Sequence, residues 1–327
     1  MESFYKDKVV LVTGGSGSIG SEIVKKLLEF EPEAVRILDI NETALFELEE
    51  DLKSSKIRTF IGDVRDKDRL ERAFEDVDII FHAAALKHVP LCEFNPFDAV
   101  KTNVLGTQNV LDAALNTNVG KVIMISTDKS VNPINVMGAT KLLAERLTIA
   151  ANYYGPNRRT VFSCVRFGNV LNSRGSVIPI FRKQISNGGP VTITDSEMSR
   201  FIMHIPDSVD LILMAGYMAV GEEIFILKMP AVNVVDLAEV MIDDLAPKYG
   251  YSPEDIDIEI IGKRFGEKLF EELVTKDEAM YVEDKGNLFI LNSKNKIYSG
   301  EKFSYDSDSA EKLSKDEIRM ELRKHKF

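Results

Sequence analysis

The chain has 327 residues, 44% hydrophobic and 28% charged, an ordinary globular composition that excludes fibrous repeats and disorder. Its 41 Lys and Arg against 52 Asp and Glu leave a formal net charge of −11, a poor match to nucleic acid or an anionic membrane. Two cysteines, Cys92 and Cys164, cannot make a disulfide framework and suit a reducing, cytoplasmic compartment. No apolar run reaches the roughly 20 residues of a membrane helix, and the first residues lack a signal-peptide core.

In chain order, Val9–Thr13 is a β-branched apolar run, predicted as a buried strand. Ile19, Ile23, Val24, Leu27 and Leu28 then recur at helical spacing over Ser18–Phe30, and Pro32 stops the helix. A second strand is expected over Val35–Leu38 and a second amphipathic helix over Glu42–Leu52. Strand signals recur at Thr59–Ile61, Asp78–Phe81, Lys121–Ile125 and Thr160–Val165. Helices are expected around Asp68–Phe74, Asp98–Leu115 and Met137–Tyr154. Strands without period-2 alternation, separated by helices, imply an α/β fold with a doubly wound parallel sheet.

After about Arg166 the alternation weakens, and Gly, Pro and Ser interrupt shorter apolar pieces at Asn172–Ser176, Asn187–Pro190 and Met229-Pro230. The expected division is a nucleotide-binding domain over 1–170, receiving a strand and helix from about 205–228. The remainder, 171–327, is expected to be mainly a smaller substrate-binding region. From about Asn295 the chain is Lys/Glu-rich and is expected to be a solvated appendage ending in a short helix.

The first strand runs into Thr13-Gly14-Gly15-Ser16-Gly17-Ser18-Ile19-Gly20 and then a helix. Glycines there allow a tight turn and let backbone amides and a helix N-terminus approach a pyrophosphate. Asp39 ends the next strand, where a carboxylate can accept from a ribose diol and repel a 2′-phosphate. The expected cofactor is therefore NAD, with NADP the weaker alternative; Arg36 precedes Asp39 on the same strand.

The spacing Gly14-x-x-Gly17-x-x-Gly20 resembles the extended short-chain dehydrogenase/reductase family, whose nucleotide domain is a Rossmann fold. The resemblance sharpens at Gly62–Asp66, His82–Pro90 and Lys101–Thr107. It becomes specific at Ser126–Pro133, Gly138–Lys141, Arg166–Val170 and Ser173–Pro179. Together these segments resemble the UDP-N-acetylglucosamine 4,6-dehydratases of surface-polysaccharide and glycan synthesis. The resemblance implies C4 oxidation by hydride transfer to NAD, loss of water across C5–C6 and return of hydride to C6. Inversion at C5 is one of its two possible stereochemical outcomes.

Elimination needs a base for the C5 proton and an acid for the departing C6 hydroxyl. The resemblance assigns Asp128 as the acid, Lys129 as the C5 base, and Lys141 as the lysine that holds the nicotinamide ribose. Met137 stands where the family carries a tyrosine, so Thr127, or Asp128 through a water, has to take the C4 proton. Cofactor contacts are expected at Gly14, Ser16, Gly17, Ser18, Ile19, Gly20, Asp39, Asp63, Val64, Ala83, Ala84, Ala85 and Lys141. Substrate contacts are expected at Lys87, Asn169, Arg174, Val177, Arg200, Arg264 and Glu267, since a pyrophosphate rewards guanidinium forks and amide donors. Asn103 is expected to order the active-site loop. No metal-ligand spacing occurs.

The expected partner is a UDP-sugar bound by a homo-oligomer, with no nucleic acid and no membrane insertion. Two rivals share these motifs. A UDP-sugar 4-epimerase shares the C4 oxidation, but Asp128-Lys129 replaces the small hydroxyl residue typical there. A catalytically silent NAD-binding regulator accommodates Met137 but has no use for Asp128, Lys129 and Lys141 together.

Overall fold

The computed structural model describes residues 1–154, 159–171, 176–292 and 303–324. Val9–Thr13 (β1), Ala34–Asp39 (β2), Ile57–Ile61 (β3), Ile79–His82 (β4), Lys121–Ile125 (β5) and Val161–Arg166 (β6) form a parallel array ordered β3-β2-β1-β4-β5-β6. Glu223–Leu227 continues it parallel to β6. Leu288–Asn292 and then Val282–Asp284 close that edge antiparallel. The strand order reverses between β1 and β4, which opens a crevice at the carboxyl ends where such sheets bind ligands.

The continuous apolar runs follow from burial on both faces. Val10 and Val12 of β1 pack in one core with Ile23 and Leu27 of helix Ser18–Glu29 and with Ile212 of helix Ile205–Met218. Val9 and Leu11 pack in the opposite core with Leu70 and Phe74 of helix Lys67–Phe74 and Val110 of helix Gly106–Asn116. A further core joins Ile178 and Phe181 of helix Val177–Ser186 to Leu237 and Met241 of helix Val234–Leu245.

Two expectations are corrected. The helix expected over Asp98–Leu115 is built in pieces: Pro96–Ala99, a π-turn at Val100–Leu105, and Gly106–Asn116. The π-turn carries Asn103, whose Oδ1 accepts from Leu86 N at 2.8 Å and whose Nδ2 donates to Leu86 O at 2.9 Å. The C-terminal stretch is not simply solvated. Tyr305–Asp306 pairs with Glu272–Val274, and helix Lys315–Lys324 buries Ile318 and Leu322 in the core built by Leu237 and Met241. That apolar pair, one turn apart, is masked by the helix's charged remainder.

Candidate active site

The crevice at the strand reversal is a cavity of about 560 Å³ lined by Gly14, Gly17, Ser18, Ile19, Gly20, Asp39, Asp63, Val64, Ala83, Ala84, Ala85 and Lys87. Gly14 has φ 66°, and a Cβ there would lie 2.7 Å from the Ala84 backbone, so a side chain would block the crevice. The helix beginning at Ser18 has no acidic residue in its first turn, leaving its amide end favourable to an anion. Asp39 is fixed by amides: Ser16 N donates to Oδ2 and Asn41 N to Oδ1, each at 3.1 Å. Arg36 is spent elsewhere, donating to the Ala73 and Glu75 carbonyls at 2.8 and 2.6 Å and lying over the Phe60 ring. Arg65 forks onto Asp63; burial would raise this carboxyl, and the Arg65 bonds outweigh it and hold it low.

β5 delivers the chain into a turn over Asp128–Ser130. Thr127 Oγ1 donates to Asp128 Oδ1 at 2.8 Å. Lys129 Nζ donates to Asp128 Oδ1 at 2.9 Å and to Asn169 Oδ1 at 3.0 Å. Asp128 is fully buried, and its Oδ2 has no hydrogen-bond partner among the described residues. Burial alone would lower the Lys129 pKa, but the Asp128 and Glu271 charges outweigh it and raise it.

Helix Val136–Ala150 seats against this turn because Gly138 has no side chain: a Cβ there would overlap the Lys129 carbonyl. The same helix carries Lys141, whose Nζ donates to Ile125 O at 2.5 Å and whose pKa burial brings down to about 8. Met137 is buried with Cys92 and Ala99 in an apolar pocket.

A second cavity of about 190 Å³ brings together Asn169, Val177, Arg200, Arg264 and Glu267. Asn169 joins it to the Asp128–Ser130 turn through its bond to Lys129. Arg200 is partly committed, donating to the Ser199, Lys268 and Leu269 carbonyls. Lys87 lines the first cavity, not this one. Arg174 lies outside the described residues.

Sequence reasoning missed Glu271, whose Oε1 lies 3.6 Å from Lys129 Nζ and which is 3% exposed. The Glu271-Glu272 doublet reads as an ordinary solvated pair; its place two residues before the apolar Leu273-Val274 was the available signal. Also missed was Glu145, buried against Arg166 directly behind the turn.

Residues 10–293 match the model of a family described as polysaccharide biosynthesis protein. A Methanocaldococcus jannaschii protein described as an uncharacterized membrane protein is 61% identical over 99% of this chain and 97% of its own length. No helix among the described residues is long and apolar enough to cross a membrane. A UDP-N-acetylglucosamine 4,6-dehydratase (inverting) of Campylobacter jejuni is 38% identical over 98% of both chains. A UDP-glucose 4-epimerase of Rickettsia bellii is 40% identical over 96% of this chain and 95% of its own. Among solved structures, Pen from Bacillus thuringiensis superposes with a TM-score of 0.94 at 44% identity over 98% of both chains. The dTDP-glucose 4,6-dehydratase DesIV of Streptomyces venezuelae, solved with NAD, gives 0.70 at 25% identity over 80% of this chain and 86% of that one.

Proposed function

We propose that this chain, which belongs to the polysaccharide biosynthesis protein family, is an NAD-dependent UDP-N-acetylglucosamine 4,6-dehydratase that inverts C5. The observation that carries the reading is the Thr127–Asp128–Lys129 cluster, built around the fully buried Asp128 at the carboxyl end of β5 and joined through Asn169 to the cavity holding Val177, Arg200, Arg264 and Glu267. NAD fits the larger cavity, whose wall at Gly14 admits no Cβ and whose Asp39 carboxylate is held by two amides. Gly14 to Gly20, Asp39, Asp63, Val64 and Ala83 to Ala85 would hold it, with Lys141 at the nicotinamide side. Bound there, NAD supplies the hydride acceptor for C4 and the donor for C6.

The chain's own residues handle the protons. Thr127 Oγ1 passes the C4 hydroxyl proton to Asp128, to which it is already hydrogen-bonded. Asp128, now protonated, gives that proton to the C6 hydroxyl, which leaves as water. The Lys129 amine takes the C5 proton and releases it to solvent, and C5 regains a solvent proton as hydride arrives at C6. Protonation on the face opposite Lys129 gives inversion, the outcome named for the Campylobacter relative. Each group ends as it began, and only water is lost.

The epimerase reading draws on the Rickettsia relative, but C4 epimerisation has no task for a lysine base beside a buried acid. Incubation with UDP-N-acetylglucosamine tests the choice. Dehydration yields a product about 18 mass units lighter, one water, by acid–base elimination. A product of unchanged mass supports the epimerase.

Homo-oligomerisation is part of the same proposal. Leu91, Phe94, Phe97, Val100, Leu105 and Leu143 are exposed on mutually packed helices, an apolar face that a second copy would cover. The buried free thiols Cys92 and Cys164 fit a cytoplasmic setting.

A further inference from the structure

We infer that Ser307 is a positioning residue for substrate binding: its hydroxyl, carried in by the C-terminal segment, locks the strand bearing Arg200 to the segment that follows Glu267 and so sets the guanidinium that receives the UDP diphosphate. The inference rests on the UDP-sugar reading and deepens it. Arg200 belongs to the buried strand Ser199–Met203 and lines the smaller cavity with Arg264 and Glu267. Its fork is folded against main chain. Nη1 donates to Ser199 O at 2.7 Å and to Leu269 O at 2.9 Å, and Nη2 donates to Lys268 O at 2.8 Å. Ser199 N donates to the same Leu269 carbonyl at 3.0 Å. The plane of the guanidinium therefore depends on how Ser199 sits against residues 268 to 271. A diphosphate rewards a fork held in advance, because less ordering is then left to the moment of binding.

Ser307 holds those two segments together, and both it and Ser199 are fully buried. Tyr305–Asp306 pairs with Glu272–Val274, and the ladder runs one step further as Ser307 N donates to Glu271 O at 2.9 Å. There the hydroxyl takes over from main chain. Glu271 N donates to Ser307 Oγ at 3.0 Å, and Ser307 Oγ donates to Ser199 O at 3.2 Å. Ser199 Oγ, 3.0 Å away, fills the remaining lone pair of the Ser307 hydroxyl. Ser199 O thus accepts from both Ser307 and Arg200. Without the Ser307 hydroxyl the buried Glu271 amide loses its acceptor, and Ser199 is free to part from residues 268 to 271.

The C-terminal segment does not need that hydroxyl to dock. Tyr305 OH donates to Met229 O at 2.8 Å, and Asp306 Oδ1 accepts from Asp308 N at 3.1 Å and Ser309 N at 2.8 Å. Ala231 N donates to Glu311 O and Leu313 N to Ala231 O, and Ile318 and Leu322 are buried beyond them. Loss of the Ser307 hydroxyl therefore loosens Arg200 while the segment stays in place.

The test is a double-mutant cycle read as UDP affinity by calorimetry on the NAD-loaded full chain, with NAD occupancy and thermal unfolding measured on the same samples. Ser307→Ala should weaken UDP binding about tenfold, the worth of a lost buried hydrogen bond, with NAD occupancy unchanged. Arg200→Ala should weaken it at least as much. Because Ser307 acts through Arg200, adding Ser307→Ala to Arg200→Ala should cost no further affinity, an outcome that a merely structural role does not produce. Ser307→Cys, close in size but with a weakly hydrogen-bonding thiol, should also lose affinity; it decides the matter if the Ala variant fails to fold. Full UDP affinity in a folded Ser307 variant, or losses that multiply in the double variant, overturns the inference. An unaltered chain that does not bind UDP instead overturns the UDP-sugar reading beneath it, and the inference with it.

Discussion

Arg166 Nη2 donates to Glu145 Oε2 at 2.8 Å, an ion pair in which neither side chain is more than 1% exposed. Burial would raise the Glu145 carboxyl, but Arg166 and hydrogen bonds from Ser126 and Ser130 overcome it and hold it low. Arg166 also donates to Leu273 O at 2.8 Å and Glu278 Oε2 at 3.1 Å. The pair thus ties β6, helix Val136–Ala150 and the segment after Glu271 together behind the Asp128–Ser130 turn. Ser130 Oγ, 2.8 Å from Glu145 Oε1 and 2.7 Å from Thr127 O, carries that support into the turn itself.

Breaking such a pair strands a buried charge. Arg166→Met should cost about 3–5 kcal/mol in urea unfolding, and the double variant Arg166→Met with Glu145→Leu should cost clearly less. A single variant as stable as the unaltered chain contradicts the structural role of the pair.

His82 gives a second stability prediction. Its Nδ1 lies 2.7 Å from Thr13 Oγ1 and its Nε2 3.0 Å from Thr107 Oγ1, and burial brings its pKa down to about 3. The unfolded chain, with a histidine pKa near ~6.5, then binds the proton that the native state refuses. Stability from this group is complete above about pH 6.5 and falls by up to ~1.4 kcal/mol per unit as pH drops toward 3. Urea unfolding between about pH 7 and 5 should show that slope, and His82→Asn should flatten it. An unchanged slope in the variant assigns it to other groups.

Much of this was legible in the sequence because the signals were local. β1, the glycine turn and Asp39 form one contiguous strand–turn–helix–strand unit, and its residues surround one cavity. The Thr127-Asp128-Lys129 triplet is likewise local to the end of one strand. Arg200 was legible as a cavity residue but not as a tether to Lys268 and Leu269, because carbonyl acceptors leave no trace in side-chain type. Glu145 meets Arg166, and Glu271 meets Lys129, only through tertiary packing, so neither spacing nor periodicity marks them. The C-terminal helix was read as solvated because two apolar residues among charged ones carry little periodic weight, yet two suffice to dock it.

Cofactor choice rests on Asp39. NAD should bind more tightly than NADP, and Asp39→Ala should erase that preference, since the ribose diol loses an acceptor and a 2′-phosphate loses a repelling charge. Arg36 should not compensate, being held by the Ala73 and Glu75 carbonyls. Equal NAD and NADP affinities in the unaltered chain would contradict the role given to Asp39.

Met137 separates packing from proton transfer. Asp128→Asn and Lys129→Ala should retain NAD and the fold yet lose dehydration by about 10²- to 10⁴-fold, roughly 3–5 kcal/mol of barrier. Met137→Ala should lose far less, because its thioether sits with Cys92 and Ala99 and has no proton to give. Lys141→Ala should weaken NAD binding as well as turnover. A Met137→Ala enzyme as inactive as Asp128→Asn, with NAD still bound, would contradict this division of roles.

The most direct test follows one hydrogen. UDP-N-acetylglucosamine carrying deuterium at C4 is incubated with the protein and no added coenzyme, and the product is read by mass spectrometry and proton NMR. The account predicts a 4-keto product one water lighter, with the deuterium now at C6 and turnover continuing without NAD consumption. Deuterium still at C4 of a product of unchanged mass, or lost to a pool of reduced coenzyme, would contradict it.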